Sequence, residues 1–157
     1  MKVATLGYLI KDDKILLTKK KRGFGRGLYN GFGGKVEVGE GFEQALIREA
    51  REEIGIIPVE YVNVGELVFY DGDVVGFFVK VYLITKWMGT PTESDEVKPV
   101  WFTVDEIPYD EMWEDDRYWL PKVLEGKKVR GEFWFEDLFG NNPKMVKHNI
   151  YESLRSL

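Results

Sequence analysis

Residues 34–56 read Gly34-Lys-Val-Glu-Val-Gly-Glu40-Gly-Phe-Glu-Gln-Ala-Leu-Ile-Arg48-Glu49-Ala-Arg-Glu52-Glu53-Ile-Gly55-Ile56. Within it, Phe42, Leu46, Ala50 and Ile54, joined by Ile47, form the apolar stripe of an amphipathic helix that packs on a sheet. Gly55 supplies a left-handed cap and Pro58 follows soon after, so the helix is predicted over 42–54. Glu49, Glu52 and Glu53 are i+3 and i+4 neighbours, so their carboxylates share a face beside the stripe and repel. Glu53 projects between Phe42 and Leu46, where an uncompensated carboxylate costs on the order of several kcal/mol. Arg48 reaches Glu52 at i+4, but one arginine cannot neutralise three acids. With Glu40 arriving from the preceding loop, the cluster has the donor chemistry of a hard-cation site, one that Mg²⁺ fills with carboxylate oxygens, water and phosphates. A solvated helix laced with ion pairs is the ordinary explanation of such acids. Against it, seven fixed positions (Gly34, Glu40, Arg48, Glu49, Glu52, Glu53, Gly55) agree by chance on the order of once in 10⁸ windows at ~7% usage each.

The 157 residues suit one domain spanning 1–157. A net charge of -5 argues against a nucleic-acid partner, which needs cationic side chains to displace counterions. There is no cysteine, which excludes disulfides and thiolate metal sites and makes a reducing, cytoplasmic setting the expectation. The first ten residues read as a strand and not as a signal peptide, and no apolar run approaches the ~20 residues of a membrane span. Aromatic residues reach 15%, enough to line a pocket.

Apolar runs at 3–10 and 14–19, split by Lys11-Asp12-Asp13, predict a hairpin. Six glycines interleaved with aromatics in 23–34 imply close backbone approach rather than a linker. Strands are expected at 61–70, 75–87, 97–103, 129–135 and 145–153, and a second helix at 116–124. Alternation of these elements predicts a compact α/β domain with a mixed sheet.

The pattern G-x5-E-x7-R-E-U-x-E-E-x-G-U, with U a bulky aliphatic, is the Nudix box, and residues 34–56 resemble it; Ala50 stands where an aliphatic side chain is usual. Lys20-Lys-Arg-Gly-Phe-Gly25, Asn30-Gly-Phe-Gly-Gly-Lys35, Gly89-Thr-Pro-Thr-Glu-Ser-Asp-Glu96, Met112-Trp-Glu-Asp-Asp116 and Tyr118-Trp119 are similar to the mammalian-type MutT-homologue branch of that family. The resemblance implies an α/β/α sandwich with a central mixed sheet. It also implies Mg²⁺-dependent hydrolysis, with Mn²⁺ as a substitute, of oxidised purine nucleoside triphosphates such as 8-oxo-dGTP and 2-hydroxy-dATP to monophosphate and pyrophosphate. Glu49, Glu52 and Glu53 would bind metal, with Gly33 and Glu96 counted in the same set. Glu52 or Glu53 would take the water proton, Arg48 would hold the acids in register, and Glu40 and Glu96 would assist.

In that context Trp113-Glu-Asp115-Asp116-Arg-Tyr-Trp119 places two carboxylates between two indoles, which suits a purine presenting ring N–H and amine donors. Taken alone, Asp115 or Asp116 reads equally as a helix cap. Asn30 would meet the other side of the base. Thr5, Phe24 and Phe69 would line the pocket, and Lys20 would contact the ribose or triphosphate side. The chain departs from the branch at Leu28-Tyr29, in a shorter, more acidic loop around Asp71-Gly-Asp73, and in a longer stretch past Asn141. His148 stands apart from any motif. The implied partner is a small-molecule nucleotide, and the implied state a monomer. Two other readings are a housekeeping hydrolase of normal nucleoside triphosphates or ADP-ribose-like compounds, and a ligand sensor of the same fold without catalysis.

Overall fold

A computed structural model describes residues 1–155. Its strands are β1 (Lys2–Lys11), β2 (Lys14–Lys20), β3 (Tyr29–Asn30), β4 (Ile57–Asp71), β5 (Val74–Met88), β6 (Val97–Thr103), β7 (Lys127–Glu136) and β8 (Lys144–Leu154). They form one sheet in the order β3-β2-β1-β5-β4-β7-β8, with β6 paired to β2. The β1–β5 and β4–β7 pairs are parallel and the others antiparallel, so the sheet is mixed.

Two helices cover opposite faces, α1 (Phe42–Ile54) and α2 (Asp116–Leu124), and the strands alternate accordingly. Tyr8, Ile15, Leu17, Val81 and Leu83 join the core that contains Trp119, Leu120 and Val123 of α2. Leu9, Leu16, Tyr82 and Ile84 point the other way, onto Leu46, Ala50 and Ile54 of α1. This is the expected α/β/α sandwich. Leu46 is fully buried, and its truncation to alanine would cost about 2–5 kcal/mol. Ala50 is equally buried, so the small residue shapes packing against the sheet.

Both predicted helices keep their bounds. At the start of α1 the Gly41 N–H donates to Gln44 Oε1 at 2.7 Å, and Gly55 caps its end at φ 70°. Strand β4 begins four residues before the predicted Tyr61 and includes Pro58. Pro58 pairs with Trp87 of β5, while β7 joins β4 only from Gly65 onward; the imide nitrogen therefore faces an edge with no hydrogen bond to lose. The two-residue β3 and the 3₁₀ turns Val104–Glu106 and Tyr109–Glu111 carry too little pattern for sequence reading.

Strand β1 creates the site. It pairs with β2 only at Ile10 and Lys11 and then diverges, opening the sheet. The glycine-rich segment zips into the gap through Gly7 N–H to Phe32 O at 2.7 Å, Thr5 N–H to Gly34 O at 3.0 Å and Val36 N–H to Val3 O at 2.8 Å. Glycine is required there: a Cβ on Gly33 would lie 2.0 Å from the Thr5 carbonyl oxygen, and one on Gly34 would lie 2.5 Å from Glu49 Oε1.

Candidate functional site

A cavity of about 400 Å³ opens where β1 and β2 part. Its lining includes Thr5, Lys20, Phe24, Asn30, Gly33 and Glu53, together with Phe69, Trp113, Asp115, Asp116 and Trp119. Eleven of the residues singled out from sequence thus converge on one cavity. Glu40, Arg48, Glu49, Glu52 and Glu96 do not line it.

At the acidic end, Arg48 organises its neighbours. Its Nε and Nη2 donate to Glu40 at 2.8 and 2.9 Å in a bidentate pair, Nη1 donates to Glu49 Oε1 at 2.8 Å, and Nη2 also reaches the Lys35 carbonyl at 3.0 Å. The guanidinium holds the Glu40 carboxyl down at about 2, helped by the backbone of Glu37. Glu52 touches Arg48 at 3.4 Å and is 60% exposed. Glu53 instead turns inward and is only 7% exposed. Burial first, then the charge of Glu49, pushes its carboxyl up to about 8, against the opposing Lys20 ammonium and a backbone hydrogen bond from Gly33.

Glu49 and Glu53 are thus two carboxylates in mutual repulsion, of which Arg48 bonds only Glu49, and a hard divalent cation fits that donor set. Among the described residues no three acids or histidines already stand at chelating distance. Glu49 stays beside Glu53 while also bonded to Arg48, whereas Glu52 lies exposed on Arg48 at 3.4 Å, so Glu52 is the carboxylate that would have to swing to complete the set. Glu96 is farther out, on Arg22 at 2.6 Å and near Lys20 at 3.6 Å. The basic stretch Lys20–Arg22 is thereby tied to the 93–96 loop instead of lying free in solvent; Lys21 also binds Glu93 at 2.6 Å.

At the other end Asp115 and Asp116 are 3% and 2% exposed. Asp115 stands at the start of α2, but its side chain caps nothing: Oδ2 accepts the Trp119 Nε1–H at 2.8 Å. The cap alternative therefore fails on hydrogen bonding. Burial raises the Asp115 carboxyl to about 6 in spite of that bond, and burial together with the Asp115 charge raises Asp116 well above the usual range. Asp116 Oδ2 and Thr5 Oγ1, both on the cavity lining, are buried without a hydrogen-bond partner. Such orphans are expensive unless something else completes them.

Asn30 is oriented by contacts that the sequence did not suggest. Its Oδ1 accepts from Tyr8 Oη at 3.3 Å and from the Gly31 N–H at 2.8 Å, leaving Nδ2 as the group free to donate. Tyr8 was legible only as a strand residue, since nothing in a two-residue alternation shows which partner its hydroxyl meets. Trp119 is fully buried and edge-on to Tyr8 at 6.3 Å, so it reaches the site chiefly through Asp115. Trp113 is half-buried with its indole stacked on Phe24 at 4.9 Å, while Phe69 stacks on Phe133 at 5.4 Å. His148 packs on Tyr118 at 4.3 Å, on the outside of α2.

The chain is similar to known proteins along most of its length. The NUDIX domain profile matches residues 1–123. The oxidized purine nucleoside triphosphate hydrolase of Danio rerio is 39% identical over 152 residues, covering 96% of this chain and 95% of that one. The Mus musculus protein of the same name is 42% identical over 134 residues, covering 85% and 86%. The crystal structure of a MutT protein from Bacillus halodurans superposes with a TM-score of 0.80 at 23% identity over 96% of this chain and 97% of that one, which speaks for the fold.

Proposed function

The chain belongs to the Nudix family, and on that premise we propose that it hydrolyses oxidised purine nucleoside triphosphates, 8-oxo-dGTP and 2-hydroxy-dATP among them, to monophosphate and pyrophosphate, with Mg²⁺ as its metal. The observation that carries the reading is the buried Asp115–Asp116 pair with one oxygen unpartnered, facing a cavity whose opposite end holds Glu53. Two relatives bearing the name of that activity along nearly their whole length support it.

The raised carboxyls give the base end both hydrogen-bonding characters. A protonated Asp116 donates and an ionised Asp115 accepts, while Asn30 Nδ2 donates from the far side. Oxidised guanine and oxidised adenine differ in where donors and acceptors lie, and a pair that can place its proton on either oxygen suits both. Trp113 and Phe24 offer ring faces for stacking.

Mg²⁺ would be held by Glu49, Glu52 and Glu53, with the Gly33 backbone beside them and Glu96 joining only on leaving Arg22, and when bound it supplies charge neutralisation on the phosphates and acidifies a water. Arg48 keeps Glu40 and Glu49 in register. Water oxygen adds to phosphorus, the anhydride P–O bond breaks, and pyrophosphate leaves with its electron pair. Glu53, the carboxylate turned into the cavity, would be ionised beside the metal charge in spite of its burial and accept the water proton. Lys20, lining the same end, offsets phosphate charge. The reading takes free nucleotide as substrate and a monomer as the acting unit.

Pyrophosphate release should be measured with Mg²⁺ on 8-oxo-dGTP, 2-hydroxy-dATP, dGTP, dATP and ADP-ribose, with Glu53→Gln as the blank. The reading predicts much higher kcat/KM for the oxidised purines and a loss of roughly 10²–10⁴-fold in kcat for the variant. Equal or faster cleavage of dGTP or ADP-ribose would refute the oxidised-base assignment.

A further inference from the structure

The turn joining β7 to β8 has no part in the chemistry above, yet it is built against the cavity. Leu138 is buried and lines it. Phe139 follows with its ring 5.7 Å from Phe24 and 5.4 Å from Phe77, two aromatics that also line the cavity. The Lys2 ammonium sits 4.6 Å from the Phe139 centroid and 5.6 Å from that of Phe77, within cation–π range.

Hydrogen bonds fix the shape of the turn. Leu138 N–H donates to Asp71 Oδ1 at 3.2 Å, Gly140 N–H to the Asp137 carbonyl at 3.0 Å, and Asn142 N–H to Asp137 Oδ2 at 3.3 Å. Across from it β5 is hollowed at Gly76, where a Cβ would stand 2.9 Å from Leu138 Cδ2 and 3.2 Å from the Phe139 ring. Phe139 remains 44% exposed, and its packing is spent on residues of the cavity wall.

We propose that Leu138 and Phe139 are specificity-determining residues that wall the base end of the cavity, Leu138 by contact and Phe139 as a positioning residue that fixes the rings of Phe24 and Phe77. The inference rests on the reading that the cavity takes a nucleobase. Asp115, Asp116 and Asn30 act on the polar edge of a base, which leaves its ring area to the aromatic wall. Because apolar stabilisation scales with area removed from water, the wall favours a bicyclic base over a monocyclic one.

Steady-state kinetics on Phe139→Ala and Leu138→Ala, with dGTP, 8-oxo-dGTP and dCTP, test this. The expected result is a KM for the purines raised roughly tenfold with kcat within about twofold, and a smaller change for dCTP. Phe139→Leu should restore most of the loss, Gly76→Ala should reproduce it by displacing the wall from behind, and the remote, exposed Tyr151→Ala should do neither. Unchanged KM in both alanine variants, or a parallel fall of kcat and melting temperature without a KM effect, overturns the proposal. If the wild type cleaves no purine triphosphate, the proposed activity fails, and the wall is judged separately by metal-free calorimetry with 8-oxo-dGMP. Weaker binding to Phe139→Ala then upholds the wall; equal binding, or none by wild type, removes it.

Discussion

Asp115→Asn should make the protein more stable while damaging it as an enzyme. Asparagine keeps an oxygen for the Trp119 indole N–H, which Asp115 now accepts at 2.8 Å, and removes only the charge. Burial raises the Asp115 carboxyl from 3.8 to about 6, a rise of about 2 in pKa that corresponds to roughly 3 kcal/mol. Its direction sets the sign. A carboxyl that holds its proton more tightly folded than unfolded favours the native state fully below pH 3.8, and that contribution is lost as pH rises through about 6. Above pH 7 the wild type therefore carries the whole cost of an ionised, buried carboxylate. The amide adds hydrogens without an acceptor, at about 1 kcal/mol, which leaves a net gain of about 2 kcal/mol. For a chain of this size that is a melting temperature higher by about 4–8 °C. Urea unfolding of both proteins at pH 4, 6 and 8, without nucleotide, measures it. The difference should be near zero or slightly unfavourable at pH 4 and grow toward pH 8, while kcat/KM for 8-oxo-dGTP falls. A variant that is no more stable than wild type at pH 8, or a difference that does not change with pH, would refute the account of the pair.

Three further outcomes follow from individual contacts. Arg48→Lys keeps the charge but cannot make the bidentate pair with Glu40 and bind Glu49 as well, so activity should fall about 10–100-fold with the melting temperature little changed; recovery of full activity at higher Mg²⁺ would localise the fault to metal affinity. Gly34→Ala would push a methyl to within 2.5 Å of Glu49 Oε1, and calorimetric titration should show weaker Mg²⁺ binding in a protein whose circular dichroism is unaltered; unchanged affinity would mean Glu49 is not a ligand. Tyr8→Phe removes the hydroxyl that orients Asn30, and should raise KM about fivefold, the value of one hydrogen bond of about 1 kcal/mol, with kcat preserved.

What the sequence alone determined is what repeats or is counted locally. The bounds of α1 followed from a four-residue stripe and from Gly55, because a helix closes its hydrogen bonds within itself and its cap is a matter of one φ angle. The spacing of Glu49, Glu52 and Glu53 put three carboxylates on one helix face and so raised the expectation of a hard cation, since helix geometry fixes neighbours at i+3 and i+4. Asp115 and Asp116 were visible as a pair, although not that one of them would hold Trp119 instead of capping α2. The tertiary structure decided which way each acid turns: Glu53 inward, Glu52 outward, and Glu40 and Glu49 onto one guanidinium. It also brought Tyr8 to Asn30 and Phe139 to Phe24, contacts spanning 22 residues in the first case and more than a hundred in the second. Such pairings depend on the divergence of β1 from β2 and on the order of strands in the sheet, and no periodicity within a segment encodes the position of a segment it has yet to meet.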